Sequence, residues 1–362
     1  MKRLRILTLI LAVVAYGIHM YKLSLAQEST IVYGDVIPDE WFETTGEILT
    51  PDADRRMADQ TYLTFPEWFL VYSPEEQAAF FKTSTSTQYP YSSQVHQFWD
   101  SYEVLQSKLE NKYPYNEEYN TMIQVIGYST QIEYDMKSWY ETVIGRVTQT
   151  STPTEEDVFY QKYTDDYAAF LNTAAWYDFD YKSQLKSLWS ETSFFGYNIH
   201  RKLERKYVLT SEILVKIAYA ELIKFGSSSM YGEIATTTVI VTDSITDKMK
   251  HNETIEVISS SNGYHVLRIP RYTAFMTTAQ EIANDNVNII EVAGNKSAIL
   301  ISLKVKKDTQ FEKDKVKLLF GQQLANDHTK LRVVLVTPIG NLANFLRHCE
   351  TNNLEVEHVY DF

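Results

Sequence analysis

The side chains that could perform acid–base or metal chemistry lie far apart in this 362-residue chain. His96 and His200 lie in two segments with helical periodicity, and Glu67 lies before both of them. His200 and Glu204 are four residues apart, so they share one helix face, and with His96 they form a candidate metal site. A di-metal bundle uses two Glu-x-x-His motifs on helices, which these segments lack. The surrounding HRKLERK is more typical of an exposed, salt-bridged face, so the sequence predicts no metal and no cofactor.

Carboxylates beside aromatic rings are a second candidate, because such pairs can bind and hydrolyse sugars. Glu67 precedes Trp68, and three further carboxylates lie on one predicted helix: Glu133, Asp135 and Glu141. Acidic residues are abundant throughout this half of the chain, so composition alone produces some of this adjacency. For Glu67 we therefore favour a structural ion pair, with Arg146 or Arg201 as its partner, over catalysis.

The sequence contains none of the motifs GxSxG, HExxH, P-loop or GxGxxG. Glu355 and His358 form an ExxH, but residues three apart on a predicted strand point to opposite faces and do not share a metal. Cys349 is the only cysteine, which excludes an intrachain disulfide and cysteine-rich zinc or iron–sulfur sites. Its position on a predicted helix face indicates a buried apolar residue.

Aromatic residues are the remaining candidates for binding, with 26 tyrosines and 6 tryptophans in the chain. Rings with polar tips suit apolar ligands, carbohydrates and protein interfaces, and they also fill helical cores. Core packing is favoured at helical-face positions such as Trp99, whereas an interface role is equally compatible with the loop tyrosines. We expect a protein partner or a small apolar or aromatic ligand, and the candidate binding residues are Tyr62, Trp68, Tyr89, Tyr91, Trp99, Tyr113 and Tyr115.

Negative charge is concentrated before the C-terminal third of the chain. Residues 23–229 carry 16 basic and 31 acidic side chains, a net of −15, whereas residues 230–362 carry 14 and 16, a net of −2. An acidic surface repels phosphate backbones, so nucleic-acid binding is not expected.

The N-terminal residues 1–26 predict export through a signal peptide or a membrane anchor. A basic cluster at residues 2–5 precedes an uncharged apolar run at residues 6–21. This run is shorter than the about 20 residues that span a bilayer as a helix, and small residues at 24 and 26 offer a cleavage site, so both interpretations stay open. In either case the body is exported and is membrane-anchored, periplasmic or extracellular.

The periodicity of the remaining sequence indicates three parts: an acidic linker at 27–60, an aromatic-rich helical domain at 61–229 and an α+β domain at 230–362. Pro66 is expected to end a short strand at 62–65. Ser73-Pro74-Glu75-Glu76 is typical of a capping box that starts a helix at Pro74. Further helices are predicted at about 92–112, 114–147, 154–173, 181–190 and 198–225.

The C-terminal domain repeats an apolar pattern at an offset of 67 residues. His265–Gly294 and Arg332–Asp361 align without a gap, and each has the periodicity of a strand, a helix and a second strand. Identical pairs are few, Asn286 and Asn353 among them, so duplication and convergence both stay open. Parallel strands joined by a helix form a right-handed crossover, and two such units in one sheet predict a ferredoxin-like α+β sandwich.

Four short motifs stand out: TYLTFPEWFLVYS at 61–73, Gln97-Phe98-Trp99, WSET at Trp189–Thr192 and a terminal VEHxYD at Val356–Asp361. In these motifs the chain resembles a family of bacterial membrane-anchored proteins of unknown function. The resemblance covers most of the chain after residue 60. It implies an exported, anchored protein and brings no catalytic residues with it.

The leading hypothesis is a non-enzymatic extracytoplasmic protein whose helical domain binds a ligand or a protein partner and whose α+β domain is a support or a second contact surface. The alternative is a hydrolase or transferase with Glu67, His96 and His200 in its active site. That alternative requires the three side chains to converge on one pocket.

Overall fold

The computed structural model describes residues 30–44, 46–57, 59–230, 236–312 and 314–360. The predicted signal peptide or anchor at 1–26 lies outside these residues. Within the described ranges, no helix is both long enough and apolar enough to cross a membrane. The same ranges form a mixed arrangement of helices and two antiparallel sheets, which confirms the broad α+β class.

Contacts divide the chain into two compact units. Among the described residues, the helical unit contains 70–96 and 127–230, and the sheet unit contains 30–69, 97–126 and 236–360 with the gaps given above. The last change of unit falls close to the predicted boundary at 229. Residues 61–69 and 97–126, which the sequence placed in the helical domain, belong instead to the sheet unit.

Helices account for most of the chain up to residue 230. They are α1 (Gln60–Glu67), α2 (Phe69–Phe81), α3 (Tyr91–Leu109), α4 (Glu117–Tyr140), α5 (Glu155–Leu171), α6 (Tyr181–Glu191) and α7 (Ile199–Met230). α4 continues through a π-helical turn, Glu141–Gly145, into a last turn at Arg146–Thr148. The helices predicted at 92–112, 114–147, 154–173, 181–190 and 198–225 are thus confirmed with small shifts at their ends.

Two predictions that relied on proline are wrong. Residues 62–65 are not a strand but part of α1, which contains Pro66, and α2 begins at Phe69 rather than at Pro74. Each proline removes one helical hydrogen bond. In α1, complete burial of Tyr62, Leu63 and Phe65 compensates for that loss, since tertiary packing overrides local propensity.

The interior of the helical unit contains a network of ion pairs. Arg201 donates to Asp157 of α5, with Nη2 2.7 Å from Oδ1, and Arg205 donates to Glu141 of the π-helical turn, with Nη1 2.7 Å from Oε1. Four basic side chains of α7 are at most 4% exposed: Arg201, Lys202, Arg205 and Lys206. The prediction that HRKLERK is an exposed face is therefore wrong, because the acidic partners of these residues lie on the elements packed against α7.

A second ion-pair group joins α4 to α7, whereas the outer side of α4 is apolar. Glu133 lies 3.0 Å from Lys137 and 2.7 Å from Lys216, and Lys137 lies 2.9 Å from Glu212. The exposed apolar side chains of α4 in this unit are Tyr128, Ile132, Met136 and Trp139. Charge inside and apolar surface outside reverse the usual distribution of a water-soluble bundle.

The described part of the sheet unit contains two antiparallel sheets that have the same connectivity apart from one additional edge strand, β1 (Thr30–Val32), in the second. In spatial order, the first sheet consists of β3 (Glu256–Ser261), β4 (Tyr264–Pro270), β2 (Thr237–Thr242) and β5 (Ile289–Val292). The second consists of β1 (Thr30–Val32), β7 (Lys317–Gln323), β8 (Lys330–Pro338), β6 (Ala298–Lys306) and β9 (Glu355–Val359). The helices between these strands in the described C-terminal part are α8 (Asp247–Lys250), α9 (Thr273–Asn284) and α10 (Ile339–Thr351).

The repeat at 67 residues corresponds to β4–α9–β5 and β8–α10–β9. β4 and β5 both pair antiparallel with β2, so they are parallel to each other, and β6 separates β8 from β9 in the same way. The strand–helix–strand prediction is confirmed for both copies. The prediction of one ferredoxin-like sheet is wrong, because each copy takes up its own central strand and completes a separate sheet.

Both repeat helices end in the same backbone motif. Asn286 and Asn353 adopt left-handed φ values of 60° and 51°. The next amide of each copy donates back to the helix, Val287 to Ile282 at 3.3 Å and Leu354 to Cys349 at 2.8 Å. This is the Schellman motif, and asparagine is the commonest residue other than glycine at its left-handed position. One of the few identical pairs between the copies therefore has a structural reason.

α9 and α10 share one hydrophobic core with strands of both sheets. Cys349 of α10 is 1% exposed, and burial raises the pKa of its thiol to about 12, which confirms a buried apolar role. α1 also packs into this unit: the Phe65 ring lies 5.2 Å from Phe320 and 5.4 Å from Tyr360. These contacts explain why residues 61–69 belong to the sheet unit.

Candidate functional site

A cavity of about 470 Å³ lies beside the loop that joins α3 to α4. All of its lining residues belong to the sheet unit. They comprise three carboxylates, four amides, two tyrosines and three others: Asp59, Glu103, Glu110, Gln106, Asn111, Asn116, Asn120, Tyr113, Tyr115, Ser107, Leu109 and Pro114. The volume is within the range of about 300–1,000 Å³ that is typical of small-molecule pockets.

Amide side chains fix the wall of this cavity. Asn120, 2% exposed, accepts hydrogen bonds from Tyr102 at 2.8 Å and from Gln106 at 2.6 Å. Its own amide nitrogen donates to the Asn116 carbonyl at 2.7 Å, and the Asn116 side chain accepts from the Tyr119 amide at 3.1 Å. These bonds join the end of α3 to the start of α4 and cap α4. The wall is therefore set before any ligand arrives.

The two tyrosines of the cavity differ in how they are held. The Tyr113 hydroxyl donates to the Phe42 carbonyl at 3.3 Å, and its ring packs edge-on against the Phe42 ring at 5.8 Å. Tyr115 is 66% exposed. One ring thus forms part of the fixed wall, while the other offers open aromatic surface at the rim.

Asp59 supplies a buried carboxyl group to the cavity. Its residue is 4% exposed. Burial raises its pKa above the ordinary range, and the Asn116 side chain opposes this by hydrogen bonding to the carboxylate. No lysine or arginine is among the lining residues that the structure describes. This chemistry disfavours phosphates and carboxylates, and it suits hydroxyl groups, amides and amines.

A separate aromatic–polar cluster brings together two of the motif segments, at the end of α1 and in β9. The Trp68 ring lies 3.6 Å from the ring of His358, and the Tyr360 ring lies 4.7 Å from the same histidine. Burial lowers the pKa of His358 to about 3, the charge of Glu357 opposes this, and the charge of Arg271 contributes to it. His358 is therefore a neutral ring inside the sheet unit at physiological pH.

Glu67 lies at the edge of this cluster, and its partner differs from the predicted one. The Tyr119 hydroxyl donates to Glu67 in a short hydrogen bond, whereas Arg201 is bonded to Asp157 and Glu204. Burial and the neighbouring Glu67 carboxylate both raise the pKa of Tyr119. The expected pairing of Glu67 with Arg146 or Arg201 is thus wrong. Among the described ion pairs neither arginine contacts Glu67, and Arg201 belongs to the interior of the helical unit.

Tyr272 adjoins the cluster with a strained backbone. Its φ of 59° and ψ of −142° are rare for a residue with a bulky side chain. Its ring lies 6.3 Å from Trp68. Sequence reasoning missed this residue, since no glycine or asparagine marks the position.

The structure places the predicted catalytic residues on different elements. Glu67 is half-buried at the end of α1, and the side chains of His96 and His200 are exposed on α3 and α7. In the described ranges no hydrogen bond or ion pair joins any two of them. No group of three or more histidine, cysteine or acidic residues among the described residues has the geometry to hold a metal ion.

The predicted binding aromatics fall into two classes. Tyr62, Tyr89 and Tyr91 are at most 5% exposed and contribute to cores; Tyr91, for example, packs edge-on against Tyr134 at 5.5 Å. Trp68, Trp99 and Tyr113 are half-buried, and Tyr115 is exposed. Of the seven predicted residues, the cavity contains Tyr113 and Tyr115.

Sequence reasoning also missed the amides and Asp59, which follow no recognisable motif. A cue was present in the tyrosine–asparagine content of KYPYNEEYN at 112–120. Comparison with family models, with curated proteins and with solved structures finds no match to this chain.

Proposed function

We propose that this protein is an exported binding module that holds a small ligand bearing hydroxyl or amino groups in the cavity beside Tyr113 and Tyr115. The observation that carries the proposal is the composition of that cavity. Three carboxylates, four amides and two tyrosine rings line it, and they offer hydrogen-bond acceptors, donors and aromatic surface together.

The chemistry of the lining favours binding over catalysis. Its titratable side chains in the described chain are carboxylates and tyrosines, and the histidine that most often activates a serine or cysteine nucleophile is not among them. The buried amides are already hydrogen-bonded to one another and hold the wall rather than a reacting group. Such a preorganised wall lowers the entropy cost of binding.

The ligand class follows from the charge of the lining. Because all of its ionisable groups are acidic, an anionic ligand would lose its hydration without gaining an opposite charge. A neutral polyol can donate to the carboxylates, and an amine can in addition lie over the exposed Tyr115 ring. This revises the apolar or aromatic ligand that the sequence suggested.

Export is the second part of the proposal, supported by the basic and apolar segments at residues 2–21 and by the resemblance to membrane-anchored proteins. When the outer barrier of the cells is opened and the inner membrane stays intact, externally added protease should degrade a C-terminal tag. Protection of the tag until the inner membrane is lysed would contradict export.

Titration calorimetry of the full chain against a panel of sugars, polyols and amines tests the binding role. We expect one class to bind, and Tyr115→Ala to weaken that binding about tenfold, which corresponds to about 1.4 kcal/mol. Tyr128→Ala is the matched control, because Tyr128 is 60% exposed, close to the 66% of Tyr115, but lies outside the cavity. Equal affinity of both variants, or turnover of the ligand by the wild type, would contradict a binding module at this cavity.

A further inference from the structure

Four aromatic side chains are exposed where α6 ends and the following loop leads to α7. Trp189 is 50% exposed, Phe194 49%, Phe195 73% and Tyr197 88%. We refer to these four residues as the aromatic loop. The rings of Trp189 and Phe194 lie 6.3 Å apart, and those of Phe194 and Phe195 lie 5.3 Å apart. Trp189, Phe194 and Phe195 therefore form a connected apolar patch, and the exposed Tyr197 follows two residues later in the same loop.

The backbone beneath these rings is held by charged side chains. The amide and hydroxyl of Ser193 donate to Glu155 at 2.6 Å and 2.7 Å. Lys206 donates to the Thr192 carbonyl at 3.0 Å, and its ammonium group lies 5.3 Å from the Trp189 ring centre and 5.6 Å from that of Phe194. The loop is therefore preorganised to present its rings outward.

Connected exposed aromatic patches of this kind mark contact sites in soluble proteins. Residues 194–198 read FFGYN and contain no charge, so the loop can enter an apolar medium without burying an ion. Tryptophan and tyrosine are enriched at the lipid–water interface, where the ring is apolar and its polar tip stays hydrated. A bilayer interface thus fits both the composition and the exposure of the loop.

The predicted membrane segment provides an independent reason for choosing lipid as the occupant. The run at 6–21 is separated from the first described strand by residues 22–29, which extend at most about 30 Å. A chain held this way stays close to the bilayer, so a weak second contact is enough for lasting attachment.

We propose that the aromatic loop, Trp189 with Phe194, Phe195 and Tyr197, inserts into the lipid–water interface as a second membrane contact of the chain. Insertion depends on apolar burial and not on attraction to anionic headgroups, because the chain carries a net charge of −13. It therefore occurs on zwitterionic lipid and persists at high salt.

The test places a fluorophore on the loop of the full chain in phosphatidylcholine vesicles that contain nitroxide-labelled lipid. The labelled variant is Phe195→Cys, and the control is Ser151→Cys, at an exposed position of the same unit. The native Cys349 is 1% exposed and so does not compete for the label. We expect several-fold stronger quenching at position 195 than at position 151, with no gain from added anionic lipid.

A second labelled variant distinguishes insertion of the loop from mere proximity of the protein to the membrane. With Phe194→Ser and Tyr197→Ser added, quenching at position 195 should fall to the level at 151, while circular dichroism shows the fold retained. Equal quenching of the two single labels would overturn the proposal. Quenching that requires anionic lipid, or a fluorophore shielded by a second copy of the chain at high protein density, would overturn it as well.

Discussion

Arg332 shows how strongly a buried charge depends on the carboxylate beside it. Its guanidinium is 0% exposed and donates to Glu357 through Nε at 2.5 Å and Nη2 at 2.7 Å. Burial opposes ionisation of Glu357, but Arg332 and Lys304 outweigh it and lower the pKa of this carboxyl to about 2. We expect Glu357→Gln to lower the free energy of unfolding by about 3–5 kcal/mol, since it removes the carboxylate that lies beside a fully buried guanidinium.

Urea unfolding near neutral pH measures this loss. Glu355→Gln is the matched control on the same strand, because the Glu355 side chain is 52% exposed and pairs with the exposed Lys330. We expect that control to change stability by less than about 1 kcal/mol. Similar losses in both variants would show that the buried pair is not special.

Gly145 is required by the π-helical turn in the helical unit. A Cβ at this position would lie 2.1 Å from the Glu141 carboxylate, which accepts from Arg205. Gly145→Ala should therefore displace Glu141 and cost about 1–3 kcal/mol. Gly340→Ala at the start of α10 has no atom within 4 Å of its new Cβ and should be neutral or slightly stabilising. The thermal unfolding temperature should fall in Gly145→Ala and stay unchanged or rise slightly in Gly340→Ala, and a stabilised Gly145→Ala would refute the steric argument.

The asparagines that end the two repeat helices can be tested by substitution in each copy. Asn286 and Asn353 hold left-handed φ values at the ends of α9 and α10. We expect Asn353→Ala to destabilise the protein by about 1 kcal/mol, because a Cβ-bearing residue without a local hydrogen bond is strained there. Asn353→Gly should be tolerated. Asn286 should give the same order of effects in chemical denaturation, and a reversed order in either copy would argue against equivalent caps.

Element types could be predicted from periodicity, and sheet membership could not. The apolar pattern of β4–α9–β5 and β8–α10–β9 predicts strands and helices correctly, since it reports which side of each element is buried. The pattern carries no information about which strand lies at the centre of each sheet. β2 pairs with β4, and β6 pairs with β8, through contacts between residues far apart in the sequence. The prediction of a single sheet was therefore wrong, although the strands and helices predicted for it were correct.

Buried ion pairs were the main feature of the whole molecule that the sequence concealed. HRKLERK has the composition of a surface helix, and only the position of Asp157 and Glu141 on neighbouring elements shows that Arg201 and Arg205 are inside. The cavity was equally hidden, because its amides at residues 106–120 match no recognisable motif and its buried carboxylate, Asp59, comes from a distant part of the sequence. The sequence did single out the two tyrosines of its lining, Tyr113 and Tyr115, but the same reasoning also selected Tyr89 and Tyr91, which are buried in a core.

Acid stability of the whole chain should reflect these buried groups in two pH ranges. Burial opposes ionisation of Glu133, but Lys216 and Lys137 outweigh it and lower its pKa to about 2; Glu357 behaves alike. Carboxyls with a lowered folded pKa stabilise the protein above their unfolded pKa and lose that contribution as the pH falls through the folded pKa. Their loss therefore falls between about pH 5 and pH 2.

His358 should act in a range that begins at a higher pH than that of these carboxyls and overlaps it below about pH 5. Its folded pKa of about 3 is below the unfolded value of about 6.5, so the unfolded chain binds the proton first as the pH falls. The contribution of His358 to stability is fully present above about pH 6.5. Below that pH the free energy of unfolding should decline by up to about 1.4 kcal/mol per pH unit.

Urea unfolding at pH 7, 6 and 5 measures that decline before the carboxyls contribute. His358→Phe keeps a ring beside Trp68 and should flatten the decline in this range. His328→Gln, which replaces an exposed ring, should retain it. An unchanged slope in His358→Phe would mean that the buried histidine does not set acid stability in this range. A group outside the aromatic–polar cluster of Trp68, His358 and Tyr360 would then have to account for the decline.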